Sequence, residues 1–337
     1  MPESRQHAVF ARTDRVAAAW TWALPSASLP RRGVAEVRVL GRDLVLWRDD
    51  HGSVHAWDAH CPHMGAHLAR GKVTAEGLHC FFHGWVFSED GTLSRVPCAA
   101  HPPRVAVTAW PVVERYGLIF VWPEPSARAP APEIPALAGR AVRTVLGARF
   151  EKGCHPNVVM VNAIDEQHFL SVHHLPVDLQ FAVTEHSANA ATWDNTTPPS
   201  DSVFGRFLRR FYRGPLTYRM TYWGGTTGSV SVGPDVWHFH IVFALRLTDA
   251  GTTEGYPILL TPKVGGLSGV ALNAASLAAS ALVGAYFAHG DTEVFQTIRW
   301  DLATPIAADR SILRFIQHVD AQPAVSYGGW APLSDTP

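Results

Sequence analysis

Two short segments of the sequence each combine one cysteine with one histidine. Cys61 and His63 lie two residues apart, and Cys80 and His83 lie three apart further along the chain. Thiolates and imidazoles bind Zn²⁺ and iron–sulfur clusters. Zinc fingers usually pair Cys with Cys in one loop and His with His in the other, whereas here each loop supplies one of each. This arrangement favours a [2Fe–2S] cluster in which one iron takes both thiolates and the other takes both imidazoles.

The residues around these ligands resemble the paired cluster-binding motifs of Rieske domains. The two runs are Cys-Pro-His-Met-Gly at 61–65 and Cys-Phe-Phe-His-Gly-Trp at 80–85. Two departures are visible: Met64 stands where an Arg is often found, and Phe81 and Phe82 replace the usual Pro-Tyr. Neither departure changes a ligand, but a hydroxyl lost near a sulfur would change the reduction potential of the cluster.

A second set of polar residues lies near the middle of the chain. Asn162, Asp165 and His168 are spaced at i, i+3 and i+6, which keeps neighbouring members on one side of a helix. His173 follows five residues after His168, about 140° further round a regular helix. Both imidazoles can bind one metal only if the helix distorts between them, as helices do at functional sites. Two histidines and a carboxylate form the facial triad of Fe(II) oxygenases.

This segment resembles the Asn-x-x-Asp-x-x-His-x₄-His run in the alpha subunits of Rieske non-haem iron oxygenases. The resemblance implies that His168 and His173 bind a mononuclear Fe²⁺, and that a carboxylate much later in the chain completes the site. It indicates Asp291 for this carboxylate, with Glu293 as the alternative. His174 is the alternative to His173.

The same resemblance implies roles for two residues that are not expected to bind the iron. The family uses the Asp at the position of Asp165 to connect an iron histidine with a cluster histidine of a neighbouring subunit. Carried over, Asp165 would link His168 to His83 of an adjacent chain in a homotrimer. Asn162 would lie near the iron, outside the set of ligands.

The rest of the sequence predicts two domains of different secondary structure. Short β-rich runs separated by turns indicate a small all-β module at 15–125, and a proline-rich stretch at 123–135 marks a linker. Residues 140–330 combine strands with helical patterns at 267–288 and 292–300. The predicted fold class is α+β, with an N-terminal Rieske [2Fe–2S] domain and a C-terminal, helix-grip-like catalytic domain built on an antiparallel sheet.

Composition and charge narrow the classes of partner. The chain has 337 residues, of which 47% are hydrophobic and 17% are charged, and its net charge is −1. It lacks the excess of basic residues that would indicate nucleic-acid binding. Its 4 cysteines do not suggest a disulfide framework, and no apolar signal core opens the sequence, so we expect a cytoplasmic protein.

Residues 264–288 contain no charged side chain. We expect a buried or surface-docked helix there, with peripheral membrane contact as an alternative.

The two candidate metal sites together predict an enzyme. By resemblance, the chain is expected to be the terminal oxygenase component of a multicomponent system, of the monooxygenase rather than the dioxygenase type. It would use O₂ and electrons from a separate NAD(P)H-dependent reductase, with or without a ferredoxin, because no glycine motif for a nucleotide lies between a strand and a helix. The expected substrate is hydrophobic (aromatic, sterol-like or a natural product) and is hydroxylated, demethylated or desaturated. Two alternatives stay open: a Rieske electron-transfer or redox-sensing protein without a working mononuclear iron, and a zinc-stabilised binding module.

Overall fold

The computed structural model of the chain describes residues 8–173, 180–197, 214–234 and 238–330. The alternative ligand His174 lies outside these residues. The contacts divide the chain into two compact units. The small-sheet unit is Ala18–Ala131 with Val325–Pro337, and the large-sheet unit is Met1–Ala17 with Pro132–Ala324.

Three small antiparallel sheets make up the small-sheet unit, as the short β-rich runs of the sequence predict. Strands are numbered along the whole chain, in which β1 is Arg15–Ala17. Those of this unit are β2 (Thr21–Pro25), β3 (Val34–Val39), β4 (Arg42–Arg48), β5 (Val54–Asp58), β6 (Lys72–Thr74), β7 (Gly77–His79), β8 (Val86–Phe87), β9 (Leu93–Arg95), β10 (Ala109–Trp110), β11 (Val112–Arg115) and β12 (Leu118–Val121). They pair in the orders β10-β5-β4-β3, β11-β12-β2 and β6-β7-β8-β9.

Aromatic side chains fill the core of the small-sheet unit. Trp47 and Trp57 are fully buried with ring centroids 4.9 Å apart, and Phe87 packs against Trp57 at 6.4 Å. Cys61 and Cys80 belong to the same core cluster. The two Cys/His segments are therefore anchored at their cysteines.

An eight-stranded antiparallel sheet dominates the large-sheet unit, which confirms the predicted fold class. Its strands are β13 (Val142–Leu146), β14 (Phe150–Lys152), β15 (Ala182–Ser187), β16 (Ala190–Thr197), β17 (Leu216–Trp223), β18 (Thr227–Pro234), β19 (Phe239–Leu247) and β20 (Thr253–Pro262), and β21 (Ala324–Ser326) follows later in the chain. The order is β13-β20-β19-β18-β17-β16-β15, and β14 also pairs with β20. Met220 lies opposite Trp193 on one side and Val230 on the other, so one face of these central strands is apolar.

Four described helices accompany this sheet: α1 (Pro156–Val161), α2 (Glu166–Ser171), α3 (Gly266–Thr297) and α4 (Arg310–Asp320). Helix α4 was not predicted, although Ile312, Phe315 and Val319 are buried at helical spacing. Phe315 packs against Tyr222 with ring centroids 4.3 Å apart.

Helix α3 corrects the prediction of two helices at 267–288 and 292–300. It runs without interruption through Gly290 and ends at Thr297, since a glycine inside a helix costs only about 1 kcal/mol and does not by itself end the helix. The uncharged stretch 264–288 therefore belongs mostly to one long helix. No described helix has a segment both long and apolar enough to cross a bilayer.

Candidate metal centres

The first Cys/His loop is closed by two backbone hydrogen bonds. The N–H of Cys61 donates to the carbonyl of Ala66 at 2.9 Å, and the N–H of Gly65 donates to the carbonyl of Cys61 at 2.9 Å. Gly65 has a φ of +74°, which glycine adopts at little cost. The loop thus holds a buried thiol at its base, while the side chain of His63 is exposed.

The second loop repeats this geometry. The N–H of Cys80 donates to the carbonyl of Trp85 at 2.8 Å, and the N–H of Gly84 donates to the carbonyl of Cys80 at 3.1 Å. Gly84 has a φ of +66°. Because both loops close in the same way, His83 occupies in the second loop the exposed position that His63 occupies in the first.

The two thiols are buried close together. Cys61 and Cys80 are each 3% exposed. Burial, together with the neighbouring Cys80, raises the pKa of Cys61 to about 11, although backbone hydrogen bonds from His63 and Met64 act in the opposite direction. The thiol of Cys61 therefore resists ionisation in the protein alone, and a bound metal supplies the positive charge that deprotonates a coordinating thiol.

The two imidazoles lie side by side at the surface. Their Nδ1 atoms are 3.1 Å apart, a separation that suits two ligands of one metal ion. His63 stacks on Trp85 with ring centroids 4.3 Å apart and an interplanar angle of 10°. Phe82 lies against His83 with a centroid distance of 3.8 Å. Aromatic packing therefore restricts the orientation of both rings.

This arrangement fits a two-iron cluster better than a single zinc ion. With metal–ligand distances of about 2.0–2.3 Å, a tetrahedral zinc site brings all four ligand atoms within about 4 Å of one another. Among the described residues, the groups of ligand atoms gathered within 4.8 Å do not include the two cysteines with the two histidines. A thiolate pair set apart from an imidazole pair is what a [2Fe–2S] cluster requires.

The second candidate centre starts from a helix that is broken at Asp165. The sequence predicts a helix through 162–173, but Asp165 has extended backbone angles (φ −86°, ψ 103°) and separates a 3₁₀ turn, Asn162–Ile164, from α2. Its Oδ1 accepts hydrogen bonds from the N–H groups of Gln167 at 3.0 Å and His168 at 3.1 Å. Asp165 is therefore the N-cap of α2, a role that aspartate performs well.

The far end of α2 is distorted in the way that the spacing of the histidines demands. The N–H of Val172 donates to the carbonyl of His168 at 2.9 Å, and the N–H of His173 approaches the same carbonyl at 3.5 Å, a five-residue turn. This wide turn brings the two imidazoles together, with Nε2 atoms 2.9 Å apart. Both histidines are buried, at 6% and 5% exposure.

Asp291 of α3 joins these two histidines. Its Oδ1 lies 2.8 Å from Nε2 of His168 and 3.1 Å from Nε2 of His173. The alternative carboxylate, Glu293, is exposed. Asn162 is also close, since its Nδ2 lies 2.8 Å from Nε2 of His168.

The donor set and its spacing fit a mononuclear iron. Three ligand atoms 2.8–3.1 Å apart match adjacent corners of an octahedron, where metal–ligand distances of about 2.1 Å place neighbouring ligands about 3.0 Å apart. Oδ1 of Asp291 is buried, and no group of the described residues donates a hydrogen bond to it, although the two imidazole nitrogens are close. Two imidazoles and one carboxylate with open positions are the ligand set of non-haem Fe(II) oxygenases.

Sequence reasoning missed two residues beside this centre. A Cβ atom at Gly290 would lie 2.8 Å from Cγ1 of Val172 and 3.5 Å from the ring of His173, so only glycine fits there without a shift. Tyr218 of β17 donates its hydroxyl to the carbonyl of Ala163 at 2.7 Å. Burial and the nearby Asp291 raise the pKa of Tyr218. Tyr218 lies far from the predicted ligands in sequence, and Gly290, although next to Asp291, shows its close contact only in the folded chain.

A third group of ligand-type residues lies in the small-sheet unit. Asp49, His55 and Glu89 gather their ligand atoms within 4.8 Å. However, Oδ1 of Asp49 accepts the N–H groups of His51 and Ser53 at 2.8 Å each, which closes the turn between β4 and β5. Glu89 is exposed. The position of Asp49 is therefore explained by the turn that it stabilises, without a metal.

Comparison with known proteins agrees with the first centre. Residues 19–115 match the family described as the Rieske [2Fe-2S] domain. The chain is 36% identical over 148 residues to an oxygenase component of 3-ketosteroid-9-alpha-monooxygenase from Rhodococcus rhodochrous, a match that covers 41% of this chain and 38% of that protein. It is 42% identical over 106 residues to a cholesterol 7-desaturase from Xenopus laevis, covering 31% and 23%. The matches thus span well under two thirds of these relatives.

Solved structures extend the likeness to nearly the whole chain. A mutant of NdmA from Pseudomonas putida CBB5 with caffeine superposes with a TM-score of 0.66, 16% identity and 99% coverage of both chains. Apo dicamba monooxygenase superposes with a TM-score of 0.62 and 20% identity, covering 90% of this chain and 96% of that one. The chain therefore carries a Rieske [2Fe–2S] domain at residues 19–115 and has the fold of the Rieske oxygenases.

Proposed function

We propose that the chain is the terminal oxygenase component of a Rieske non-haem iron system, with O₂ as one substrate and a hydrophobic molecule as the other. The observation that carries the proposal is the grouping of His168, His173 and Asp291 in a chain that also contains a Rieske domain. An electron carrier has no use for a second site with a facial triad. The proposal therefore favours the oxygenase over the electron-transfer protein.

The residues divide the work between two centres. Cys61, His63, Cys80 and His83 would hold the [2Fe–2S] cluster, and the facial triad would hold Fe²⁺. When bound, the cluster supplies single electrons and the ferrous ion activates O₂. The protein's own part is to hold the imidazoles in one orientation through the Asp165 cap and to shield the site by burying both histidines.

Asp165 has a second role in this proposal. The hydrogen bonds described for its carboxylate both end on Oδ1. The other oxygen is then suited to accept a hydrogen bond from His83 of a neighbouring subunit in a homotrimer. Such a bridge would couple the cluster of one chain to the iron of the next.

Aromatic side chains beside the iron residues support a hydrophobic substrate. Phe169 lies 6.0 Å from His173 and 5.5 Å from Tyr218, and Phe181 lies 6.0 Å from Tyr218, as measured between ring centroids. Apolar walls with a few polar groups are typical of sites for small apolar ligands. Since the matched relatives are named for steroid and sterol reactions, sterol-like polycycles are the first substrates to test.

The test combines metal analysis with product analysis. The oxygenase predicts three irons per chain, brown colour and the EPR spectrum of a Rieske cluster, whereas a pure electron carrier predicts two irons. With a separate reductase, NADH and O₂, a panel of steroids and aromatic acids should yield hydroxylated, demethylated or desaturated products. The chain with NADH alone should not turn over. A colourless protein, or one with two irons and no product, would rule the proposal out.

A further inference from the structure

Two tyrosines of β17 tie the segment before His168 to the large sheet. The hydroxyl of Tyr222 donates to the carbonyl of Met160 at 2.8 Å, and the hydroxyl of Tyr218 donates to the carbonyl of Ala163 at 2.7 Å. The two tyrosines are four residues apart and lie on the same face of the strand. Carbonyls near the ends of short helices often lack intrahelical donors. The Met160 carbonyl accepts the N–H of Asn162 in addition to the hydroxyl of Tyr222.

The two hydrogen bonds differ in what they hold. Met160 belongs to α1, one turn before the break in the helix. Ala163 lies between Asn162 and Asp165, and both of these contact His168: Nδ2 of Asn162 is 2.8 Å from Nε2, and Oδ1 of Asp165 accepts the N–H of His168. The Tyr218 bond therefore holds the backbone between the two residues that contact His168. The Tyr222 bond holds a carbonyl that the N–H of Asn162 also binds, so that carbonyl keeps a donor when the hydroxyl of Tyr222 is removed.

We propose that Tyr218 is a positioning residue for the iron site. By holding the carbonyl of Ala163, its hydroxyl fixes Asn162 and the start of α2, and so fixes the direction in which the imidazole of His168 points. Tyr222 secures α1 against the sheet without this effect. The inference rests on the proposed function, because it assumes that His168 binds iron.

The hydroxyl of Tyr218 can be separated from its ring. The ring packs edge-on against Phe169 with centroids 5.5 Å apart, and a phenylalanine at position 218 keeps that contact. Tyr222 is fully buried and packs against Phe315. Tyr222→Phe is thus a matched control, since it removes the same kind of hydrogen bond from the same strand, while the Met160 carbonyl keeps the N–H of Asn162 as a donor.

The experiment compares Fe²⁺ binding by Tyr218→Phe and Tyr222→Phe. Each protein is freed of its mononuclear iron and titrated with Fe²⁺, and the EPR signal of the ferrous site with NO reports occupancy. Loss of a group that orients a ligand typically weakens metal binding by about 10- to 100-fold, so we expect roughly tenfold weaker binding for Tyr218→Phe. Tyr222→Phe should bind iron as the wild type does, but should lower the thermal midpoint by a similar amount, because each variant loses one tyrosine hydrogen bond.

Several outcomes would overturn the positioning role. Equal Fe²⁺ affinities of the two variants would do so, as would affinities that simply follow the thermal midpoints. The EPR intensity of the Rieske cluster reports whether each variant is folded. If the wild type itself binds no iron at this site, the proposed function fails rather than the role of Tyr218.

A second measurement tests the path through Asn162. Combined with Asn162→Ala, the Tyr218→Phe change should weaken iron binding by less than the product of the two separate effects, because both act on His168. Tyr222→Phe with Asn162→Ala should give the simple product. Additive behaviour of the Tyr218 pair would contradict the inference even if Tyr218→Phe alone weakened binding.

Discussion

The two candidate centres are built in different ways. In the small-sheet unit, two loops of the same geometry each present one cysteine and one histidine, and each loop is closed by its own backbone hydrogen bonds. In the large-sheet unit, the histidines lie on either side of a distorted helix end and the carboxylate comes from α3, more than a hundred residues later. One centre depends on local chain geometry, and the other depends on tertiary packing. Substitutions that disturb the packing of the large-sheet unit should therefore impair the iron site and leave the cluster site intact.

The largest expected effect separates the two centres by their metals. Asp291→Ala removes the carboxylate oxygen that lies close to Nε2 of both His168 and His173. We expect the change to abolish turnover and to lower the iron content from about three to about two per chain. The visible and EPR spectra of the Rieske cluster should be unchanged, because the loops that hold it are closed locally.

Glu293→Ala is the control for that substitution. Glu293 lies on the same helix, two residues further on, and is exposed. It should keep both its iron and its activity. If Glu293→Ala lost the third iron while Asp291→Ala retained it, the assignment of the carboxylate would be reversed.

The contrast between the centres also explains what could be predicted from the sequence. The spacing of Cys61, His63, Cys80 and His83 indicates a cluster because each loop is a local structure. The spacing of His168 and His173 requires a distorted helix, but it does not reveal the break at Asp165, which depends on a side-chain cap. The contacts of Gly290 and Tyr218 could not be predicted, because they arise only when α3 and β17 pack beside α2. The predicted domain boundaries and ligand roles stay predictions.

A second prediction concerns the dependence of the small-sheet unit on a distant segment. Trp330 is 2% exposed, its ring packs edge-on against Trp110 at 4.9 Å, and its indole N–H donates to the carbonyl of Leu40 at 3.3 Å. Trp330→Ala should destabilise this unit by about 3–5 kcal/mol, the usual effect of removing a buried aromatic ring. Thermal melts followed by the absorbance of the cluster would measure the loss.

Ile306→Ala is a useful comparison, because Ile306 is 54% exposed and lies in the large-sheet unit. Surface substitutions usually change the free energy of unfolding by less than about 0.5 kcal/mol. An equal shift of the cluster melt in both variants would mean that the C-terminal segment does not support the small-sheet unit specifically.

The third prediction uses acid to distinguish the units. Burial lowers the pKa of His155 and of His240 in the large-sheet unit to about 4. The unfolded chain binds these protons near pH 6.5, so stability falls as the pH drops from about 6.5 to 4, by on the order of 2–3 kcal/mol for each histidine. In the small-sheet unit, the hydrogen bond from Arg48 lowers the pKa of Glu114, and its contribution is lost only below about pH 4. Burial also lowers the pKa of His79 in the small-sheet unit, but the described part of the large-sheet unit has three such histidines, since burial lowers the pKa of His318 as well. The large-sheet unit should therefore weaken first.

His155→Asn tests the cause of this difference. Nδ1 of His155 accepts the N–H of Asn157 at 3.2 Å as the N-cap of α1, and asparagine is also a good N-cap that does not titrate. The variant should be less sensitive to pH between 6.5 and 5 than the wild type, as measured by the unfolding of peptides from residues 142–262 in hydrogen-exchange mass spectrometry. An unchanged pH dependence would show that other groups control the acid sensitivity.

The smallest expected effect compares two glycines of α3. Gly290→Ala would place a methyl group 2.8 Å from Cγ1 of Val172 and 3.5 Å from His173. Among the described side chains, a methyl group at Gly284 would meet that of Ile241, at 3.4 Å. Both changes raise the helix propensity by about 1 kcal/mol. Gly290→Ala should nevertheless weaken Fe²⁺ binding by about tenfold, because it displaces a ligand, a change of about 1.4 kcal/mol. Gly284→Ala should leave binding unchanged and raise the thermal midpoint slightly. If both variants bound iron equally well, the tight contact at Gly290 would not be needed to hold His173 against Asp291, and the large-sheet centre would depend on packing less than its geometry suggests.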